Sequence, residues 1–103
     1  MNYTQVDGKR EYTLFFYDQD DLEYDSITFD EPLEMTPAVG NISWLGDGRF
    51  AHTHAVLSRE GGSTVAGHLD SATTFAGELY VREFDTRLER EHDETTDLDL
   101  WPL

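Results

Sequence analysis

The 103-residue sequence contains no cysteine, so neither disulfide bonds nor thiolate metal ligands are available to it. Histidine, aspartate and glutamate remain as the side chains that can bind a metal. No apolar run approaches the ~20 residues that a membrane-spanning helix needs, and the N-terminus lacks the basic-then-apolar pattern of a signal peptide. We therefore expect a cytoplasmic protein with no membrane partner.

Basic residues are scarce. One lysine, Lys9, and six arginines stand against 22 acidic residues, which gives a formal net charge of −15. This balance argues against a broad surface that neutralises phosphates, so direct nucleic-acid binding by this chain is not expected. Near absence of lysine beside abundant aspartate and glutamate resembles the proteins of extreme halophiles, in which molar salt screens the repulsion. The alternative is an ordinary acidic protein.

The apolar residues occur in short stretches bounded by Gly, Pro or Asp, and none has the spacing of a convincing amphipathic helix. With 38% hydrophobic residues the chain can nevertheless fold, and its length suits a single domain. We predict an N-terminal extension (1–11), a β-rich core (12–84) and an acidic C-terminal tail (85–103) that is irregular, with Trp101 docking onto the core. The predicted strands are Tyr12–Tyr17, Tyr24–Phe29, Leu33–Thr36, Val39–Leu45, Phe50–Ser58, Thr64–Leu69 and Thr74–Phe84.

Three histidines are predicted to converge. Strand residues two apart share a face, so His52 and His54 point the same way. A hairpin symmetric about Gly61 places His54 opposite His68 and His52 opposite Asp70, with facing Cβ atoms ~5 Å apart. Three nitrogens with an open position are typical of a zinc ion that keeps a water or substrate ligand. The alternative is a metal-free polar face of the sheet.

Two carboxylates could support this site, namely Asp70 near a strand end and Glu78 in the last predicted strand. Asp70 is more simply a carboxylate that holds a histidine in place or lies on the surface than a metal ligand, and for Glu78 a solvated position is the simpler interpretation. In an enzyme, either could act as the base. The fourth histidine, His92, lies among acids and is expected to be solvated. No catalytic residue is identified, because the other glycine and serine motifs lack the helix that phosphate or nucleophile sites require.

The order of the motifs resembles the PPC (plants and prokaryotes conserved) domain. The resemblance runs from about Tyr12 to Trp101 and rests on five motifs in this order, Glu31-Pro-Leu-Glu, Gly40-Asn-Ile-Ser, Phe50-Ala-His-Thr-His, Ala66-Gly-His-Leu and Gly77-Glu-Leu. It implies an α+β fold dominated by a mainly antiparallel sheet, assembled as a homotrimer. It also implies a metal site formed by His52, His54 and His68.

The chain departs from the family pattern in two ways. Members usually begin with a strand, a helix and a strand, where this chain has residues 1–11. In plants the domain is joined to DNA-binding AT-hooks, which are absent here, so the DNA-binding label given to prokaryotic relatives has no support from these residues.

The resulting hypothesis is a homotrimeric PPC domain protein that binds a divalent transition metal, most simply zinc, and has a binding or regulatory role rather than a catalytic one. A small-molecule ligand is compatible with the open metal position. The alternatives are a DNA-associated regulator that acts through a partner and a zinc-dependent enzyme of unknown substrate.

Overall fold

The computed structural model describes residues 2–4, 11–73 and 77–102. Within these ranges the chain forms eight strands and no helix, and hence no helix long and apolar enough to cross a membrane. The strands are β1 (Asn2–Thr4), β2 (Glu11–Asp18), β3 (Glu23–Asp30), β4 (Glu34–Leu45), β5 (Gly48–Ser58), β6 (Thr64–Thr73), β7 (Glu89–Asp93) and β8 (Leu98–Leu100).

The strands form one mixed sheet in the order β3-β2-β6-β5-β4-β7-β8, and β1 pairs with the end of β6. The β1–β6 and β4–β7 pairs are parallel, whereas the other neighbours are antiparallel. Two tight turns depend on positive φ angles, at Gly46 (60°) and at Gly61 and Gly62 (95° and 94°). Glycine adopts these angles without steric cost, so the turns predicted from sequence are confirmed here.

A bulge interrupts the pairing of β2 with β6. Leu14 pairs with Leu69 and Thr13 pairs with Ser71, so Asp70 is the extra residue between two consecutive pairs. An extra residue reverses the inside–outside alternation of the strand beyond it. This explains why Leu69 and Ala72, three positions apart, are both buried.

The buried core lies on one face of β2, β5 and β6. Leu14, Leu57 and Leu69 are almost completely buried. The Tyr12 hydroxyl donates a hydrogen bond of 3.1 Å to the carbonyl oxygen of Leu33, which fixes the approach to β4. The remaining core residues are Tyr12, Leu33, Ala55 and Ala72, with Phe29, Met35 and Val65 packed against them. The opposite face of the same strands carries the histidines.

The predicted α+β class is wrong, because the described part of the chain is entirely β and coil. The helix was implied only by the family resemblance, and no segment here has apolar residues at helical spacing. The mainly antiparallel sheet is confirmed. Two separate predicted strands, Leu33–Thr36 and Val39–Leu45, are joined in the single strand β4, which absorbs Pro37 through an irregularity between Met35 and Ala38.

The C-terminal third also differs from expectation. Residues 77–88 contain no strand and are exposed, while 74–76 of the predicted last strand lie outside the described residues. The acidic tail is not irregular, since it forms the β7–β8 hairpin. Trp101 does dock, because its indole Nε1 donates to the Ser43 hydroxyl at 3.1 Å.

Candidate metal centre

The three predicted histidines meet on the face of the sheet opposite the core. His54 pairs directly with His68 in the β5–β6 ladder, which confirms the register derived from the turn at Gly61. His52 lies two residues before His54 on β5, where it pairs with Asn41 of β4. The ring centroids are 5.0 Å apart for His52 and His54, 4.9 Å for His52 and His68, and 5.5 Å for His54 and His68.

One nitrogen from each ring belongs to a set whose members all lie within 4.8 Å of one another. Two nitrogens bound to the same tetrahedral zinc ion are about 3.3 Å apart, given bonds of ~2.0–2.1 Å. The rings therefore need only a small inward movement to share one ion. Among the described residues no other group of three or more His, Asp and Glu side chains has this arrangement.

The environment keeps two of these imidazoles neutral at physiological pH. Burial, with contributions from His68, Arg90 and His54, lowers the pKa of His52 from 6.5 to about 4. Burial and His54 likewise lower the pKa of His68, against the opposing effect of Asp70. Only neutral imidazole has a lone pair to offer a metal, so the donor set fits a divalent transition ion.

Arg90 of β7 is fixed beside His52. Its Nε donates to the Ser43 hydroxyl at 3.1 Å, its Nη1 to the Asp99 carbonyl oxygen at 3.0 Å, and its Nη2 to the Asn41 side-chain oxygen at 3.1 Å. Nη2 also lies 3.3 Å from His52 Nδ1, which must accept because arginine only donates. A neutral His52 in this contact carries its proton on Nε2. A metal ion at Nδ1 would therefore compete with Arg90, whereas one at Nε2 would have to displace that proton.

The histidines line an open cleft of about 670 Å³. Its lining is mostly apolar and aromatic, and the β7–β8 hairpin contributes Leu98. The Tyr17 hydroxyl of β2 donates to the carbonyl oxygen of Thr96. This bond joins the turn of the β7–β8 hairpin to β2, across the strands that carry the histidines. The other lining residues are Phe15, Phe16, Tyr17, Tyr24, Pro37, Val39, Ala55, Val56, Ala66 and Gly67. A cleft of this size suits a small molecule.

The two carboxylates predicted around the site are placed differently from the histidines. Asp70 is exposed at the bulge, and the β5–β6 ladder ends at the His54–His68 pair, before any pairing of Asp70 with His52. Glu78 lies in the exposed segment 77–88. Neither is among the described residues that line the cleft. His92 is half-exposed in β7, where its nitrogens contact Asp97 at 3.1 Å and Asp99 at 3.4 Å.

Sequence reasoning did not find Arg90, Asn41, Ser43 or the two tyrosines. Asn41 and Ser43 alternate on β4 opposite His52 and Phe50, a pairing that could have been read from the turn at Gly46. No local pattern predicts the role of Arg90, because its position depends on the pairing of β7 with β4, and the C-terminal tail was expected to be irregular.

Comparison with known proteins identifies the family to which the chain belongs. The model of the Plants and Prokaryotes Conserved (PCC) domain matches residues 9–85, which is most of the chain. The protein therefore belongs to the PCC domain family, the same plants and prokaryotes conserved domain that the motifs resemble. A search of curated proteins found no match.

Solved structures with the same fold support this assignment. A protein from Bacteroides thetaiotaomicron, provisionally described as DNA-binding, is 30% identical with a TM-score of 0.84, over 91% of this chain and 69% of its own. A protein from Archaeoglobus fulgidus described as metal-containing is 30% identical with a TM-score of 0.72, over 92% of this chain and 72% of its own. A Ralstonia eutropha protein, also provisionally described as DNA-binding, is 27% identical with a TM-score of 0.79, over 90% of this chain and 65% of its own.

Proposed function

We propose that this protein is a metal-binding PCC domain protein whose role is to bind a small molecule or to regulate, rather than to catalyse. The observation that carries the proposal is the convergence of His52, His54 and His68 in one cleft, with two of the imidazoles held neutral. The description of the Archaeoglobus relative as metal-containing supports it. Zinc is the metal we propose, although nickel, cobalt or iron suit the same nitrogens.

A zinc ion held by three protein nitrogens supplies one further coordination position, at which a ligand atom can bind. The chain's own contribution is to orient the imidazoles through the β5–β6 register and to surround that position with an apolar wall. Neither Asp70 nor Glu78 is among the described residues that line the cleft, so neither is placed to act as the base of the enzyme alternative. A binding role is therefore preferred.

We also propose a homotrimer that functions in the cytoplasm of a halophilic, archaeal-type cell. The assembly rests on the family resemblance and on exposed apolar surface. In the segment 77–88, Tyr80 is 93% exposed and Val81 is 74% exposed, and Leu79 and Phe84 beside them are also exposed. Exposed apolar side chains grouped in one segment are typical of a protein interface.

Light scattering in high salt should give a trimer mass, and a monomer at micromolar concentration would contradict the assembly.

The second candidate function is DNA association, which the descriptions of the Bacteroides and Ralstonia relatives favour. The charge of −15 and the single lysine oppose direct contact, so DNA would be reached through a partner protein. A defined footprint of the isolated chain that survives competitor DNA would overturn this interpretation.

The metal proposal is tested by zinc content. Protein purified without a histidine tag and dialysed against zinc should retain about one equivalent per chain, because each cluster has donors for a single ion. His54→Ala removes one of the three nitrogens and should reduce the content to near zero. His92→Ala is the matched control, since it removes a histidine that lies outside the cleft and should leave the content unchanged. Equal zinc in the parent and in His54→Ala would refute the site.

A further inference from the structure

Within the part of the chain that the structure describes, no acidic side chain lines the cleft, although the protein is strongly acidic. Aspartate and glutamate account for 22 of the 103 residues, yet none is among the described residues that line the cleft. The wall consists instead of aromatic and aliphatic side chains, among them Phe15, Tyr24, Val39 and Leu98. A cleft lined in this way, in so acidic a protein, is suited to a ligand that carries negative charge on an apolar body.

Arg90 lies directly behind the histidine end of the cleft, where it contacts the lining residue His52. All of Arg90's described hydrogen-bond partners are uncharged groups, namely the Ser43 hydroxyl, the Asp99 carbonyl, the Asn41 amide and the His52 ring. Of the ion pairs formed between described residues, none includes Arg90.

The tyrosine end has the opposite character. Burial raises the pKa of the Tyr17 hydroxyl, and the nearby carboxylates of Asp97 and Asp18 raise it further. Asp97 follows Thr96, whose carbonyl oxygen accepts the hydrogen bond of Tyr17, so a carboxylate lies next to this end of the cleft. A second negative charge is therefore disfavoured here, while the two rings, 5.1 Å apart between centroids and inclined at 59°, offer an aromatic contact.

We propose that the cleft binds a small monocarboxylate with an aromatic or branched apolar body, its carboxylate at the histidine end and its body against Tyr24 and Val39. The inference rests on the proposed function, because a metal ion held by the three histidines adds to the positive charge that Arg90 already provides. A dicarboxylate would place its second charge beside Asp97 and Asp99, and an amine would place its charge beside Arg90.

The test compares ligands that share a phenyl body and differ in charge. Isothermal titration of the zinc-loaded protein, at fixed ionic strength, should show phenylacetate binding at least about tenfold more tightly than 2-phenylethanol, phenethylamine or 1,4-phenylenediacetate. No measurable binding of phenylacetate, or equal affinity for phenylacetate and 2-phenylethanol, would overturn the inference.

Two variants on one strand locate the binding. Tyr24 and Ile27 of β3 are 47% and 46% exposed and lie on opposite faces of the sheet. Tyr24→Ala should weaken phenylacetate binding by at least about fivefold through loss of the aromatic contact, whereas Ile27→Ala should leave it unchanged. Equal effects of the two substitutions would place the ligand elsewhere and contradict the inference.

Zinc content measured on the same samples separates the two proposals. A chain that binds zinc but shows no preference for phenylacetate retains the metal function and refutes the ligand class. A chain that takes up no zinc refutes the metal function. In that case the ligand class is tested on the metal-free protein. The charge of Arg90 alone predicts that phenylacetate still binds more tightly than the other three compounds.

Discussion

At the residue scale, Arg90 is in direct contact with the histidine cluster, because its Nη2 lies 3.3 Å from His52 Nδ1. A guanidinium this close to a metal-binding imidazole opposes a second positive charge, yet it also holds the ring in place. Its central carbon also lies 5.5 Å from the centroid of the Phe50 ring and 5.0 Å from that of the Trp101 ring, so it contacts two aromatic side chains. Arg90 is therefore a positioning residue whose charge should set the metal affinity of the cleft.

Replacing Arg90 tests this effect. Arg90→Gln removes the charge and should raise zinc affinity by about tenfold, because the repulsion between the guanidinium and the ion is lost. Arg90→Lys keeps the charge but loses the fork of donors, and should not raise the affinity. Both variants should lose some stability, so the comparison is made by competition with a zinc chelator well below their melting temperatures. Weaker zinc binding in Arg90→Gln than in Arg90→Lys would contradict the prediction.

The low pKa of His52 predicts a pH dependence of the metal-free protein. Burial and the nearby cations lower this pKa to about 4, whereas the unfolded chain has the ordinary value of 6.5. Between these values the unfolded state binds more protons, so the free energy of unfolding decreases as pH falls. The contribution is fully present above about pH 6.5 and is lost progressively towards about pH 4.

Urea unfolding of chelator-treated protein across this window measures the effect. His52→Gln should make the pH profile less steep, because glutamine has no proton to gain, while the lowered pKa of His68 still contributes. Identical profiles for the parent and His52→Gln would show that His52 is not the group responsible.

At the element scale, the close pairing of β4 with β5 positions the cluster. Gly40 pairs with Thr53, next to the Asn41–His52 pair. A Cβ at Gly40 would collide with the carbonyl oxygen of His52 and lie 2.5 Å from Thr53 Oγ1. Because backbone atoms cannot yield cheaply, the absence of a side chain here is a packing requirement.

Gly40→Ala should therefore cost about 1–3 kcal/mol in the free energy of unfolding, as overpacked sites do, and should also weaken zinc binding by displacing His52. Gly48→Ala is the matched control in the same hairpin, since a Cβ there meets nothing within 4 Å. Its stability should change by less than about 0.5 kcal/mol. Equal unfolding midpoints in urea for the two variants would contradict the packing argument.

The β7–β8 hairpin is the other element that defines the site. It lies parallel to β4 at Trp44 and Leu45, and it brings Arg90, Leu98 and Trp101 over the histidine face. Within its turn, Thr96 donates hydrogen bonds from its backbone N–H (3.0 Å) and hydroxyl (2.6 Å) to the Asp93 carboxylate. These bonds lower the pKa of Asp93.

At the scale of the whole molecule, the net charge of −15 should make stability depend on salt. In dilute buffer the acidic side chains repel one another, and molar salt shortens the screening length to ~3 Å. The melting temperature should therefore rise between about 0.1 M and about 2 M potassium chloride. An unchanged melting temperature over that range would count against the halophilic interpretation. Zinc content must be held constant between the samples, since bound metal stabilises independently of salt.

The sequence by itself determined the local features of this protein. The two-residue period of strands places His52 with His54, and the positive φ angles that Gly61 and Gly62 supply define the turn that pairs His54 with His68. The motifs also identified the family, and the scarcity of lysine determined the charge. Each of these follows from residues close together along the chain or from composition alone.

The tertiary structure decided what depends on distant contacts. The bulge at Asp70 arises from how β2 and β6 fit together, so the alternation that paired Asp70 with His52 could not be extended past Leu69. Arg90 reaches His52 only because the C-terminal segment returns to pair with β4, a contact between residues 38 positions apart. The cleft, whose described lining residues include no carboxylate, likewise depends on which side chains packing brings to one face. Local sequence determines the alternation of a strand and the position of a turn, but not which strands become neighbours.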